Sequence, residues 1–340
     1  MVSDPKMPHK QYHLIQSNRY TEGAAMTRAI DMHGHLLNQD YLDLLSAHGA
    51  LQEDGFPLPT FDEDATIAFM DENDIELQLL SLSSPQPFFG DAAESAAFCR
   101  RFNNWTAEVV ARHPGRFAFC AVLPLPNVDA ACAEAIRAMD ELGAAGVKLA
   151  SNSRGLYLGD AALDPLFAEV DKRGKLAIIH PHRPEPLREG LFTSGPVPLY
   201  EFLADTTRAV LNMIAHEVPA RFPNAHIVVP HCGSFLPNVA ARIQTVQPLL
   251  VAMGAMEPID FAGNVGKLYF DLAGNPVPTL LPLLASVADP SHILYGSDFP
   301  FTNAAIAGKG IAALRQFLAN DAQLSAHANA IMRENALTLL

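Results

Sequence analysis

Cysteine is scarce in this chain: Cys99, Cys120, Cys132 and Cys232 are the only four in 340 residues, and no two stand at CxxC spacing. That argues against a disulfide scaffold and fits a reducing cytoplasm. Basic clusters are missing too. Lys and Arg number 23 against 37 Asp and Glu, a formal net charge of −14, so nucleic acid and anionic membranes are poor partners. No window approaches the roughly 18 continuous apolar residues of a membrane span. The first 28 residues are polar and lack an apolar h-region, so they read as an N-terminal extension and not as a secretory signal. What is abundant is core-forming material: 49% of the chain is hydrophobic and 18% charged. One large domain over residues 29–340 is the expectation.

From residue 29 onward, short apolar runs alternate with longer amphipathic ones. Strand-like runs fall at 29–33, 75–83, 117–125, 146–151, 176–181, 226–231, 268–274 and 293–298. Most are continuously apolar, as strands buried on both faces are. Helical spacing predicts helices between them. The segment 127–143, for example, opens on a capping Asn127 and closes on Gly143. Further helical signals lie near 61–73, 93–113, 163–173, 202–217, 236–253, 278–287, 304–318 and 323–339. Eight strands each followed by helix predict an α/β fold of the (β/α)8 TIM-barrel type. A doubly wound sheet is the rival, but no GxGxxG follows the first strand. The connections 36–60 and 182–201 are long. Both follow strands, on the face where barrel enzymes build their sites, and read as lids.

The apolar stretch AIDMHGHLL carries His33 and His35 two residues apart. On a strand that spacing sends both imidazoles to one face. Three other strand-like runs also end in ligand-type residues: His180 in IIHPH, His231 in VVPHCG and Asp298 in GSDFP. Each alone is a polar residue closing a strand. Together, on one rim of a barrel, they converge. Imidazole and carboxylate suit Zn²⁺, Mn²⁺ or Fe²⁺ without thiolate. Five donors are more than a closed tetrahedral site needs, so one is free for proton transfer.

The motifs IDMHGH, IIHPH, PHCGSFLP and GSDFPF, in this order, resemble the amidohydrolase superfamily. The likeness is strongest to its branch of aminocarboxymuconate semialdehyde decarboxylase and 6-methylsalicylate decarboxylase-type members. It covers about residues 28–340. The resemblance implies one divalent metal, zinc first and manganese second, held by His33, His35, His180 and Asp298, with His231 as the histidine that handles protons. Lys148 sits where binuclear relatives carry a carboxylated lysine, but the branch is mononuclear and Lys148 is left out of the ligand set. Cys232 follows His231 where glycine or alanine is common; a small buried filler fits it better than a nucleophile.

The activity implied is metal-dependent, non-oxidative decarboxylation of an aromatic or unsaturated carboxylic acid, such as a hydroxybenzoate. His231 and Asp298 are the candidate catalytic residues. Arg183, Phe192, Arg242 and Phe299 are the candidate substrate contacts, Arg242 by resemblance reaching the substrate of a neighbouring subunit, with Phe88 and Phe89 as further apolar walls. A homodimer is implied by resemblance only. Two other classes stay open: a hydrolase of a lactone, ester or amide using the same site, and a metal-stabilised binding protein without turnover.

Overall fold

The computed structural model describes residues 27–187 and 195–340. The extension expected at 1–28 lies almost wholly outside the described residues, as does Phe192.

Eight parallel strands follow one another around a nearly closed barrel: β1 (Ala29–His35), β2 (Ile75–Ser81), β3 (Phe117–Ala121), β4 (Gly146–Ala150), β5 (Leu176–His180), β6 (His226–Val229), β7 (Tyr269–Asp271) and β8 (Ile293–Leu294). The chain after β8 leaves its ladder with β7 and seals against β1. Met32 N donates to Tyr295 O at 2.9 Å, Asp298 N to His33 O at 2.8 Å and His35 N to Phe299 O at 2.8 Å. The run 293–298 was expected to be one strand; the switch of partner after Leu294 shortens the regular part and brings Asp298 beside the histidines of β1.

Helices cover the outside of the barrel, and side-chain caps set their starts. Asn127 accepts from Ala130 N at the head of Val128–Glu141, and Gly143 ends that unit at φ 73°, as its sequence indicates. Asn38, Asp62, Asp91 and Asn303 cap four other helices in the same way. The C-terminal stretch departs from expectation. The continuous helix expected over 323–339 is broken into a 3₁₀ turn (Ser325–His327), a π turn (Ala330–Glu334) and one α turn (Asn335–Leu337). Its geometry yields to tertiary contacts: Ile331 O accepts from Tyr295 N, and Asn335 Nδ2 donates to Pro290 O and Ile293 O. Ala336 and Leu339 thereby join the barrel interior, where Ile30, Met32, Leu79, Cys120, Leu176, Ile178, Val228 and Leu294 form a packed apolar layer. No helix among the described residues is long and apolar enough to cross a membrane.

Candidate metal centre and cavity

The histidines reach the barrel mouth through an irregularity in β1. Asp31 pairs with Gln78 and Gly34 with Leu80, so β1 holds one more residue than β2 over this stretch. A bulge of this kind reverses the inside–outside alternation. Below it, Ile30 and Met32 fill the interior layer; above it, His33 and His35 turn inward with their Nε2 atoms 3.1 Å apart. Glycine separates the two histidines for a steric reason. A Cβ on Gly34 would lie 2.5 Å from the Gln78 side chain, and one on Gly296 would lie 2.8 Å from His33 Cβ.

Hydrogen bonds fix which ring nitrogen of each histidine faces the centre. His35 Nδ1 donates to Ser81 O at 3.2 Å and His180 Nδ1 to Pro181 O at 2.9 Å. Carbonyl oxygens only accept, so Nδ1 carries the proton and Nε2 keeps its lone pair. His33 Nδ1 lies 2.7 Å from Asp271 Oδ2. Asp298 Oδ1 stands 3.2 Å from His35 Nε2 and 3.6 Å from His33 Nε2. Two overlapping triads of donor atoms result, His33–His35–His180 and His33–His231–Asp298, each with its atoms within 4.8 Å of one another.

The electrostatics of the cluster suit a cation. Burial pushes His35, His180 and His231 towards the neutral form. Burial would do the same to His33, but the charge and hydrogen bond of Asp271, with Asp298 and Asp31 behind them, outweigh it and hold its pKa up at about 9. Burial likewise disfavours the Asp298 carboxylate, yet its contact with His35 and the charge of the neighbouring imidazoles, His33 foremost, bring its pKa down to about 2. His231 Nδ1 is buried and has no hydrogen-bond partner. Neutral imidazoles at His35, His180 and His231 and an ionised carboxylate are donors a divalent ion accepts, and its binding would displace the second proton of His33.

The backbone here is strained. His231, Cys232, Gly233 and Ser234 all have positive φ (56°, 55°, 75° and 56°), and so has Asp298 (62°). Asp271 steadies the first turn: its Oδ1 accepts from His231 N and Ala273 N, each at 3.0 Å.

A cavity of about 430 Å³ opens over the cluster. His180, His231 and Asp298 line it together with Phe56, Leu58, Phe202, Leu203 and Phe301, and with the polar groups of Asp54, Ser83, Ser84 and Thr302. The expected substrate contacts fare differently from the expected ligands. Arg183 is off the cavity wall: its Nη1 stands 3.6 Å from Glu53 Oε1 and bonds the Glu53 carbonyl. Arg242, expected to reach a neighbouring subunit's substrate, is exposed on the helix Leu236–Ala252 and off the cavity wall of its own chain. Phe299 points away, stacked on Phe69 with ring centroids 4.3 Å apart; Phe301, two residues on, takes the wall position. Phe89 stacks on His48, and neither it nor Phe88 lines the cavity.

Lys148 faces the interior, in register with Ile178, and its Nζ donates to Ser83 O at 2.9 Å. Burial lowers its pKa to about 8. Burial pushes the Cys232 thiol far up, which removes it as a nucleophile.

Sequence reasoning passed over three residues at the site. Asp271 is a lone acid inside the strand-like run 268–274 and ends the strand as folded; a single carboxylate within an apolar run was a usable signal. Asp54 and Phe301 lie on loops, where nothing in the local spacing marks them.

Comparison with known proteins agrees with this architecture. A 6-methylsalicylic acid decarboxylase of Penicillium expansum is 28% identical over 275 residues, covering 80% of this chain and 84% of the relative. A crystal structure of an amidohydrolase II superposes with a TM-score of 0.83 at 35% identity, over 92% of this chain and 99% of the other. A manganese-bound dihydroxybenzoic acid decarboxylase from Polaromonas shares the fold, with a TM-score of 0.76 at 22% identity over 92% and 97% of the two chains. The sequence pattern of the amidohydrolase family matches residues 30–340. With eight parallel strands and an inward-facing histidine–aspartate cluster at their ends, the chain belongs to the amidohydrolase family.

Proposed function

We propose that the protein is a metal-dependent, non-oxidative decarboxylase of an aromatic carboxylic acid of the hydroxybenzoate type. The observation that carries this reading is the donor cluster at the floor of a cavity walled by aromatic and aliphatic side chains. The similarity to a 6-methylsalicylic acid decarboxylase supports it.

His33, His35, His180 and Asp298 would hold one divalent cation, zinc or manganese. When bound, such a cation supplies a Lewis acid and a template for the substrate carboxylate. Phe56, Phe202 and Phe301 hold the ring and exclude water from it. Asp298, ionised in the free site, takes up a proton from solvent by way of His231 and passes it to the ring carbon that bears the carboxylate. The new C–H bond forms there, the C–CO₂ bond breaks, and its electron pair restores the aromatic ring as CO₂ leaves. His231, unpartnered at Nδ1 and steadied through its backbone, returns the proton to Asp298 between turnovers.

The test is CO₂ release by the metal-loaded protein from a panel of hydroxybenzoates, salicylates included. Release from at least one, abolished by chelation, is the expected result. Acid release from lactones or esters without any CO₂ would replace this reading with hydrolysis.

A further inference from the structure

His33 differs from the other two histidines of its triad in one respect. His35 and His180 are oriented by backbone carbonyls. His33 is oriented by a side chain, the carboxylate of Asp271, 238 residues away in sequence. Asp271 ends β7 and is only 3% exposed. Its two oxygens divide their work. Oδ2 takes the His33 Nδ1 proton at 2.7 Å, while Oδ1 takes the backbone N–H groups of His231 and Ala273, each at 3.0 Å.

We propose that Asp271 is the positioning residue of this site, setting the tautomer and aim of His33 through one oxygen and the left-handed turn that carries His231 through the other. The proposal rests on the reading of His33 as a metal ligand and His231 as the proton carrier. A carboxylate behind a histidine fixes the ring, keeps Nε2 free to coordinate and makes the imidazole a stronger donor; its loss usually costs 10- to 100-fold in metal affinity. The bond to His231 N acts on a residue at φ 56°, a region L-residues otherwise avoid. One side chain thus couples a ligand on β1 to a proton carrier after β6.

A purely structural role is the alternative, in which Asp271 only satisfies buried N–H groups. Asp271→Asn separates the two. Its amide oxygen can keep both backbone bonds, while its NH₂ replaces Oδ2. Turning the amide round would set NH₂ against two donors, so this orientation is the favoured one. His33 Nδ1 must then accept, and its proton moves to Nε2, inside the donor cluster. Asp271→Ala removes both functions.

Metal-free wild-type protein, Asp271→Asn and Asp271→Ala would be titrated with Mn²⁺ by calorimetry, with thermal unfolding of each metal-free protein alongside. Expected is a 10- to 100-fold rise in the Mn²⁺ Kd for Asp271→Asn, with the metal-free protein still folded and melting cooperatively. Its turnover should largely recover at saturating Mn²⁺, and that of Asp271→Ala should not. In zinc-loaded wild type, long-range ¹H–¹⁵N spectra should place the His33 proton on Nδ1, a measurement that stands even if a variant fails to fold. Unchanged Mn²⁺ affinity in Asp271→Asn, full recovery of Asp271→Ala, or a His33 proton on Nε2 would each overturn the proposal. Failure of the wild type to bind Mn²⁺ or Zn²⁺ at all would instead overturn the metal-site reading, and this proposal with it.

Discussion

Asp31 and Ser297 lock the barrel where its first and last strands meet. Asp31 Oδ1 accepts the Ser297 backbone N–H at 2.9 Å while Oδ2 accepts the Ser297 hydroxyl. The same carboxylate takes His33 N and Gln78 Nε2, at 3.1 and 2.8 Å. It therefore braces the bulge that turns His33 inward and the segment that delivers Asp298.

Removing that carboxylate strands four donors. Asp31→Ala should lower stability by about 3 kcal/mol or more, since each buried group left unsatisfied costs roughly 1–3 kcal/mol. Asp31→Asn should cost less than half as much. Gln78 Oε1 is buried without a partner, so a flipped Gln78 amide can accept from the introduced NH₂. Urea unfolding of the two variants checks the order, and equal losses would contradict it.

Asp54 predicts a pH dependence of stability. Burial raises its pKa to about 6, only partly offset by the hydrogen bond from Ser84 Oγ. The folded state then holds this proton more tightly than the unfolded chain, whose carboxyl titrates near 3.8. The sign follows from linkage: stability contributed by this group is fully present below about pH 4 and is lost as pH rises to about 6. The loss is on the order of 3 kcal/mol at 1.36 kcal/mol per pKa unit. Asp54→Asn should abolish that component and raise the urea midpoint at pH 7.5 relative to wild type. A variant less stable at pH 7.5 would show that the ionised form is favoured in the fold.

The proposed ligand and proton roles separate by metal content. His33→Ala and His35→Ala should lose both metal and turnover. His231→Asn should keep stoichiometric metal, read by atomic absorption, while kcat falls about 10²- to 10⁴-fold, the usual weight of a general acid–base group. Wild-type kcat in His231→Asn would rule out its proton role.

Two phenylalanines two residues apart should give opposite signatures. Phe301→Ala opens the cavity wall and should raise KM for aromatic acids with little change in Tm. Phe299→Ala empties a buried stack with Phe69 and should cost about 3–5 kcal/mol with KM nearly unchanged. Steady-state kinetics and thermal melts on the pair decide it; a raised KM in Phe299→Ala would return that residue to the substrate wall.

The barrel and the inward-facing cluster were legible because each depends on local pattern. Apolar runs mark buried strands, and a ligand-type residue where such a run stops marks the rim. The pair His33 and His35 was rightly placed on one face, although alternation alone would have put Met32 and not His33 inward; the bulge that decides this depends on pairing with β2. The substrate wall was not legible. Arg183 and Phe299 have the right chemistry on the right connections, but Glu53 and Phe69, distant in sequence, claim them first. Asp271 had a readable signal, a single acid inside an apolar run, and was masked by the stronger histidine motifs around it.

The run of left-handed residues from His231 to Ser234 has a consequence for how tightly the reacting groups are held. Non-glycine residues in sparsely populated backbone regions cost about 1–3 kcal/mol each, and Ser234, at φ 56° and ψ −122°, occupies one that glycine tolerates far better. Ser234→Gly should accordingly make the protein harder to melt while loosening the loop that presents His231. Rigidity at that loop is thus obtained against the chain's own conformational preference, and a more durable enzyme made by relaxing it would be a slower one.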